Sequence, residues 1–164
     1  MNDEQEIRQI IMQTFRGHVI VAIALFLSLV FFLVVQELVR YLYRPFYGWG
    51  GVAFGQIGSL RYTVYAISVG MVILMRLLQA VLVRFPAHFD WRQALSRLSL
   101  ASLIPLLLAE TPALLGLIFF FLTGLQRDFY VLSIVSVILL FMYFPRKVLW
   151  EEKMAAYLSR ASVT

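Results

Sequence analysis

The sequence contains no cysteine, which excludes disulfides, thiolate metal sites, iron–sulfur clusters and haem attached through a C-x-x-C-H motif. Histidine is nearly as scarce: His18 and His88 are the only two, so a nucleophile, base and orienting group have little to be built from. H-E-x-x-H, G-x-S-x-G and a phosphate loop ending in G-K-[ST] are all missing, so hydrolase, metal-enzyme and nucleotide-binding readings lack their usual chemistry. The chain is therefore expected to be no enzyme, with no catalytic residues, no metal and no cofactor. Charge is thin as well, at 14% of residues.

What is abundant is apolar side chains, 62% of 164 residues with a mean hydropathy of +0.84, against about 45–50% apolar in a soluble domain. Four runs, near residues 19–39, 60–83, 98–124 and 129–144, approach the roughly 20 residues a helix needs to cross about 30 Å of hydrocarbon. The pieces left between and beside them are at most 20 residues long, well under the roughly 50 of a separate soluble domain. The expectation is one all-α membrane domain over residues 1–164, with four transmembrane helices. The first run follows the acidic Asp3, Glu4 and Glu6 and has no A-x-A-like site after it, so it reads as a retained span rather than a signal peptide.

The basic residues set the expected orientation. Nine Arg and Lys fall on the side of the two termini and the second loop, and four on the other side. Cationic loops tend to stay in the cytoplasm, so both termini are expected there, in a multi-pass protein of a bacterial inner membrane. The sequence pI of about 9.8 follows from this distribution. No segment gathers the dense basic patch that nucleic acid requires, and none is expected as a partner.

Short amphipathic patterns flank the spans. Ile7, Ile10, Ile11 and Phe15 share one helical face, as do Leu149, Met154, Tyr157 and Leu158 near the other end. Each suits a surface helix on the membrane or on a partner, and the first equally suits an inward extension of the first span. Tyr41, Tyr43, Phe46, Tyr47 and Trp49 form an aromatic anchor at headgroup level. Glu37 stands three residues before Arg40, the spacing of a local ion pair. Gly51, Gly55 and Gly58 are expected to let the second span approach a neighbouring helix closely.

The third span carries the chemistry. Glu110 lies about 12 residues beyond Leu98, or roughly 18 Å into the membrane at 1.5 Å per residue. Pro105 and Pro112 each remove a backbone donor, so a helix kink is expected around it. An ionisable side chain at that depth is a functional hypothesis by default. Three readings follow. Glu110 pairs with Arg76 of the second span and locks two helices together; it exchanges a proton or cation; or it faces a lipid or quinone head group.

The run Ala109-Glu110-Thr111-Pro112-Ala113-Leu114-Leu115-Gly116-Leu117-Ile118, reached from the polar Arg92-Gln93, resembles the carboxylate helix of the ring-forming c subunits of rotary ATP synthases and V-type ATPases. That resemblance implies that Glu110 is an ion-carrying carboxylate. The chain departs from the family in having only Gly70 as an interior glycine of its second span, in carrying Arg76 there, in lacking a proline after Gln93 and in having two additional spans. By subtraction, the leading expectation is a small accessory or structural subunit of a larger membrane complex with Glu110 paired within the helix bundle, associated with the lipid bilayer and with other membrane subunits or further copies of itself. Proton or cation translocation through Glu110 is the alternative, with lipid or quinone binding between spans the third.

Overall fold

The computed structural model describes residues 3–82, 91–148 and 152, with side chains described for 9–53, 55–81, 95–148 and 152. It is helical throughout: α1 Asp3–Leu42, α2 Phe54–Leu82, α3 Trp91–Leu108, α4 Thr111–Thr123 and α5 Gln126–Tyr143. Taking α3 and α4 as one interrupted span, four helical segments are long and apolar enough to cross a membrane: Gln9–Leu42, Gly55–Val81, Leu95–Thr123 and Gln126–Tyr143.

The first helix exceeds the expected span at both ends. At 1.5 Å per residue, its 40 residues extend about 60 Å, roughly twice the hydrocarbon thickness. Of the two readings of the N-terminal pattern, the structure takes the inward extension, because no proline interrupts the run and its apolar face finds a partner. Ile10, Ile11 and Phe15 pack on the buried Leu95 and Leu98 at the start of α3. His18, also buried, ties the same two helices: Nδ1 lies 2.8 Å from the Thr14 carbonyl oxygen, and Nε2 lies 3.1 Å from both the Ser99 carbonyl oxygen and its hydroxyl. The amphipathic pattern near the C-terminus and His88 lie outside the residues whose side chains are described.

Helices α4 and α5 form the most tightly joined pair. Gly124, at φ 73°, closes α4 by donating its N–H to the Phe120 carbonyl at 2.7 Å, a left-handed cap of the kind glycine adopts without strain. Further along the hairpin, a Cβ at Gly116 would lie 3.1 Å from Leu132 Cβ and 3.2 Å from Phe129 Cα. Only glycine gives that separation without displacing a neighbour, which is how small residues serve helix pairs in lipid.

The connection from α1 to α2 folds back onto this hairpin. Trp49 N–H donates to the Phe121 carbonyl at 2.7 Å and Gly50 N–H to that of Leu122 at 3.2 Å. Trp49 stacks on Phe121 at a centroid distance of 5.2 Å, and Phe46 lies against Phe120 at 5.1 Å. The glycines that permit close approach differ from those expected. A Cβ at Gly51, Gly55 or Gly58 meets nothing within 4 Å, whereas at Gly48 it would come within 2.5 Å of the Leu122 carbonyl oxygen. Gly55 and Gly58 instead lie on an exposed face of α2, which begins earlier than the apolar run because its first turns are polar but still helical.

Core and surface divide as expected for a bundle surrounded by lipid. Met75, Leu106, Ala109, Ala113 and Leu139 meet in the centre, while Ile20, Phe31, Val34, Ile73, Leu77, Ile134 and Phe141 are among the large apolar side chains facing outward. In lipid the outward residues cost nothing, and cohesion comes from close packing and hydrogen bonds between helices.

Candidate functional site at the break in the third span

The third span is interrupted in its middle. After Leu108 the chain makes a turn through Ala109 and Glu110 before α4 starts at Thr111, with Pro112 in its first turn. The two prolines play different parts. Pro105 lies inside a continuous α3, and its carbonyl still accepts the Ala109 N–H at 3.0 Å. Pro112 occupies the first turn of a new helix, where a missing N–H costs least. The break exposes backbone donors that α4 cannot satisfy within itself, and α5 supplies one acceptor: Ser136 Oγ, fully buried, takes the Ala113 N–H at 2.9 Å. The interruption is thus stitched to its neighbour, as non-helical backbone at membrane depth must be. Ser102 turns back to the Leu98 carbonyl at 3.0 Å.

Glu110 stands at this break, 15 residues beyond Leu95 and 13 before Thr123. It is the N-cap residue of α4, but its carboxylate makes no capping hydrogen bond. Its surroundings are two-sided. Leu106, Ala109 and Ala113 are buried at 1%, 0% and 0% exposure, while Leu107 and Leu114, one turn either side of Glu110, are 46% and 40% exposed. Glu110 itself is intermediate. It therefore lies at the edge of the bundle, on the stripe of α3 and α4 that meets the surroundings.

The structure does not bring Arg76 to Glu110. Arg76 is exposed on α2, six residues from the end of that helix, and its guanidinium carbon lies 5.9 Å from the centroid of the Tyr143 ring at the end of α5. Its cation thus rests on an aromatic face rather than on a carboxylate.

Two clusters of paired charge sit near the α1–α2 connection. Asp128, 5% exposed, accepts from Arg61 at 2.9 Å and from Tyr65 at 3.2 Å, joining α5 to α2. Glu37 pairs with Arg40 at 3.2 Å, at the spacing the sequence suggests, and also accepts from Tyr130 of α5. Sequence reasoning used Arg61 only for orientation and did not single out Asp128. A signal was present, since a lone acid in the tight turn and a lone base at a span entry on the same membrane side are natural partners. Gln36 was also missed: it is fully buried, and its amide forms no hydrogen bond among the described residues.

Among the described residues, no three His, Cys, Asp or Glu side chains gather to hold a metal ion. A groove of about 260 Å³ between α1 and α5, bounded by Ala22, Phe26, Leu27, Leu140 and Phe141, has no polar side chain to orient a quinone ring. The four apolar helical segments fit a multi-pass helical membrane protein. No family model, curated protein or solved structure matches the chain.

Proposed function

We propose that this chain is a small integral subunit of a larger membrane complex, and that Glu110 is the point at which a neighbouring subunit docks through a basic side chain. The observation that carries this reading is the position of Glu110: mid-span, at the bundle edge between exposed Leu107 and Leu114, with no ion pair among the described residues. An ionised carboxylate at that depth is costly unless a counter-charge meets it, and Arg76 is engaged elsewhere. The test is the size of the assembly extracted from native membranes in mild detergent. The 18.9 kDa chain is expected to migrate in a larger particle, and Glu110→Gln, which keeps shape and removes charge, is expected to release it while leaving its helical circular dichroism unchanged. An unaltered particle would reject the docking role.

A second reading is favoured by the break itself. A carboxylate beside an interrupted helix resembles the ion sites of transporters built from broken helices, and the Ala109 to Ile118 pattern resembles the carboxylate helix of rotary ATPase c subunits. In this reading Glu110 takes up and releases a proton or cation. Vesicles containing the purified chain and a pH-sensitive dye would then dissipate an imposed proton gradient, and Glu110→Gln would abolish the flux.

A further inference from the structure

Beside the α4–α5 turn, a cavity of about 370 Å³ opens between the end of α1 and the start of α5. Its wall carries Arg40, Arg44 and Gln126, with Phe46 and Phe120 among its apolar residues, and no carboxylate lines it. The nearest acid along α1, Glu37, is engaged by Arg40 and Tyr130. Arg40 gives Glu37 one terminal nitrogen, NH1, and also stands beside the Tyr130 hydroxyl, which uses only part of its fork of five donors. Arg44 makes no hydrogen bond or ion pair with the described residues and is exposed. The cavity lies where the first apolar segment ends at Leu42, beside the ring cluster of Tyr43, Phe46 and Trp49, residues of the kind that favour the headgroup level of a bilayer. Along the same face of α1 toward mid-membrane, Val30 and Phe26 are 43% and 42% exposed, an apolar surface for acyl chains.

We infer that this cavity binds a phosphate-bearing anion, held by the guanidinium groups of Arg40 and Arg44 with the Gln126 amide beside them. Arginine forks match phosphate oxygens in geometry as well as charge. The aromatic wall lowers the local dielectric and so strengthens the contact. The fit is best for an anionic phospholipid, whose phosphate enters the cavity and whose chains follow α1. A soluble phosphate shares the chemistry of the head alone.

Two arms separate these sources, both using the full chain. In the first, native mass spectrometry of detergent-purified protein compares retention of phosphatidylglycerol with phosphatidylcholine of identical chains. In the second, isothermal titration with inorganic phosphate is run on the delipidated protein. A lipid site predicts preferential retention of the anionic lipid, and Arg44→Gln lowers that retention about tenfold, the size of losing one charge-assisted hydrogen bond. Arg16→Gln, an exposed arginine of α1 far from the cavity, leaves it unchanged. Arg44-dependent heat with inorganic phosphate and no preference between the lipids would assign the site to a soluble anion. Equal retention of both lipids with no phosphate heat, or binding indifferent to Arg44→Gln, would overturn the inference.

Discussion

The α1–α2 connection end of the bundle and the middle of its third span treat charge in opposite ways. Near the connection, Asp128 is met by Arg61 and Tyr65, Glu37 by Arg40 and Tyr130, and an aromatic cluster around Trp49 packs over the α4–α5 hairpin. Mid-span, Glu110 has no such counter-charge among the described residues, although the break around it is stitched by Ser136. The contrast teaches that Asp128 and Glu37 are held by their own chain, whereas the proposed role of Glu110 needs a counter-charge from outside it.

The sharpest way to break this comparison is to remove a charge that the fold uses. Asp128→Leu strands Arg61 and the Tyr65 hydroxyl, and is expected to cost about 3 kcal/mol, near the lower end for one partner of a buried pair because Arg61 is partly exposed. Reversible unfolding in mixed detergent micelles reads this directly. Gly116→Val forces two methyl groups against Leu132 and Phe129, with an expected cost of about 2 kcal/mol in the same assay. Ser136→Ala removes the acceptor for the Ala113 N–H and is expected to cost about 1 kcal/mol or less, in keeping with hydrogen bonds between helices in lipid. It should also hasten hydrogen exchange at the start of α4. The smallest effect belongs to Arg76→Leu, expected to change stability by no more than about 1 kcal/mol, the scale of one exposed cation–π contact. Combined with Glu110→Leu, its effect should simply add. A coupling above about 1 kcal/mol would reinstate a direct ion pair.

Much of the fold was legible because its signal is long-range in sequence: four apolar runs of near-membrane length declare four spans. The boundaries were less legible. The expected spans were bounded by hydropathy, whereas helices α1 and α2 continue through polar turns wherever nothing stops them. The Gln56 and Ser59 region is helical for that reason. The carboxylate at depth and the proline after it were visible as a site, and Glu37–Arg40 was visible as a pair, because both are local. Arg61–Asp128 offered only the weak signal of a shared membrane side, since the partners are 67 residues apart and only the bundle brings them together. The partnership assigned to Arg76 failed on rotation about the helix axis: two residues at similar depth on adjacent spans meet only if both face the same groove, and Arg76 faces outward.

The central claim, that Glu110 is answered from outside the chain, is tested most directly by labelling with a hydrophobic carbodiimide, which attacks protonated carboxyls in apolar surroundings, and locating the adduct by mass spectrometry. The purified chain in detergent is compared with the chain in its native membranes. Labelling at Glu110 is expected in the purified chain and protection in the native membrane, where a partner's cation would keep the carboxylate ionised. Labelling in both settings would move Glu110 to the proton-carrying reading. Protection in the purified chain, under conditions that modify a control carboxyl, would show that the chain supplies its own partner and would contradict the account.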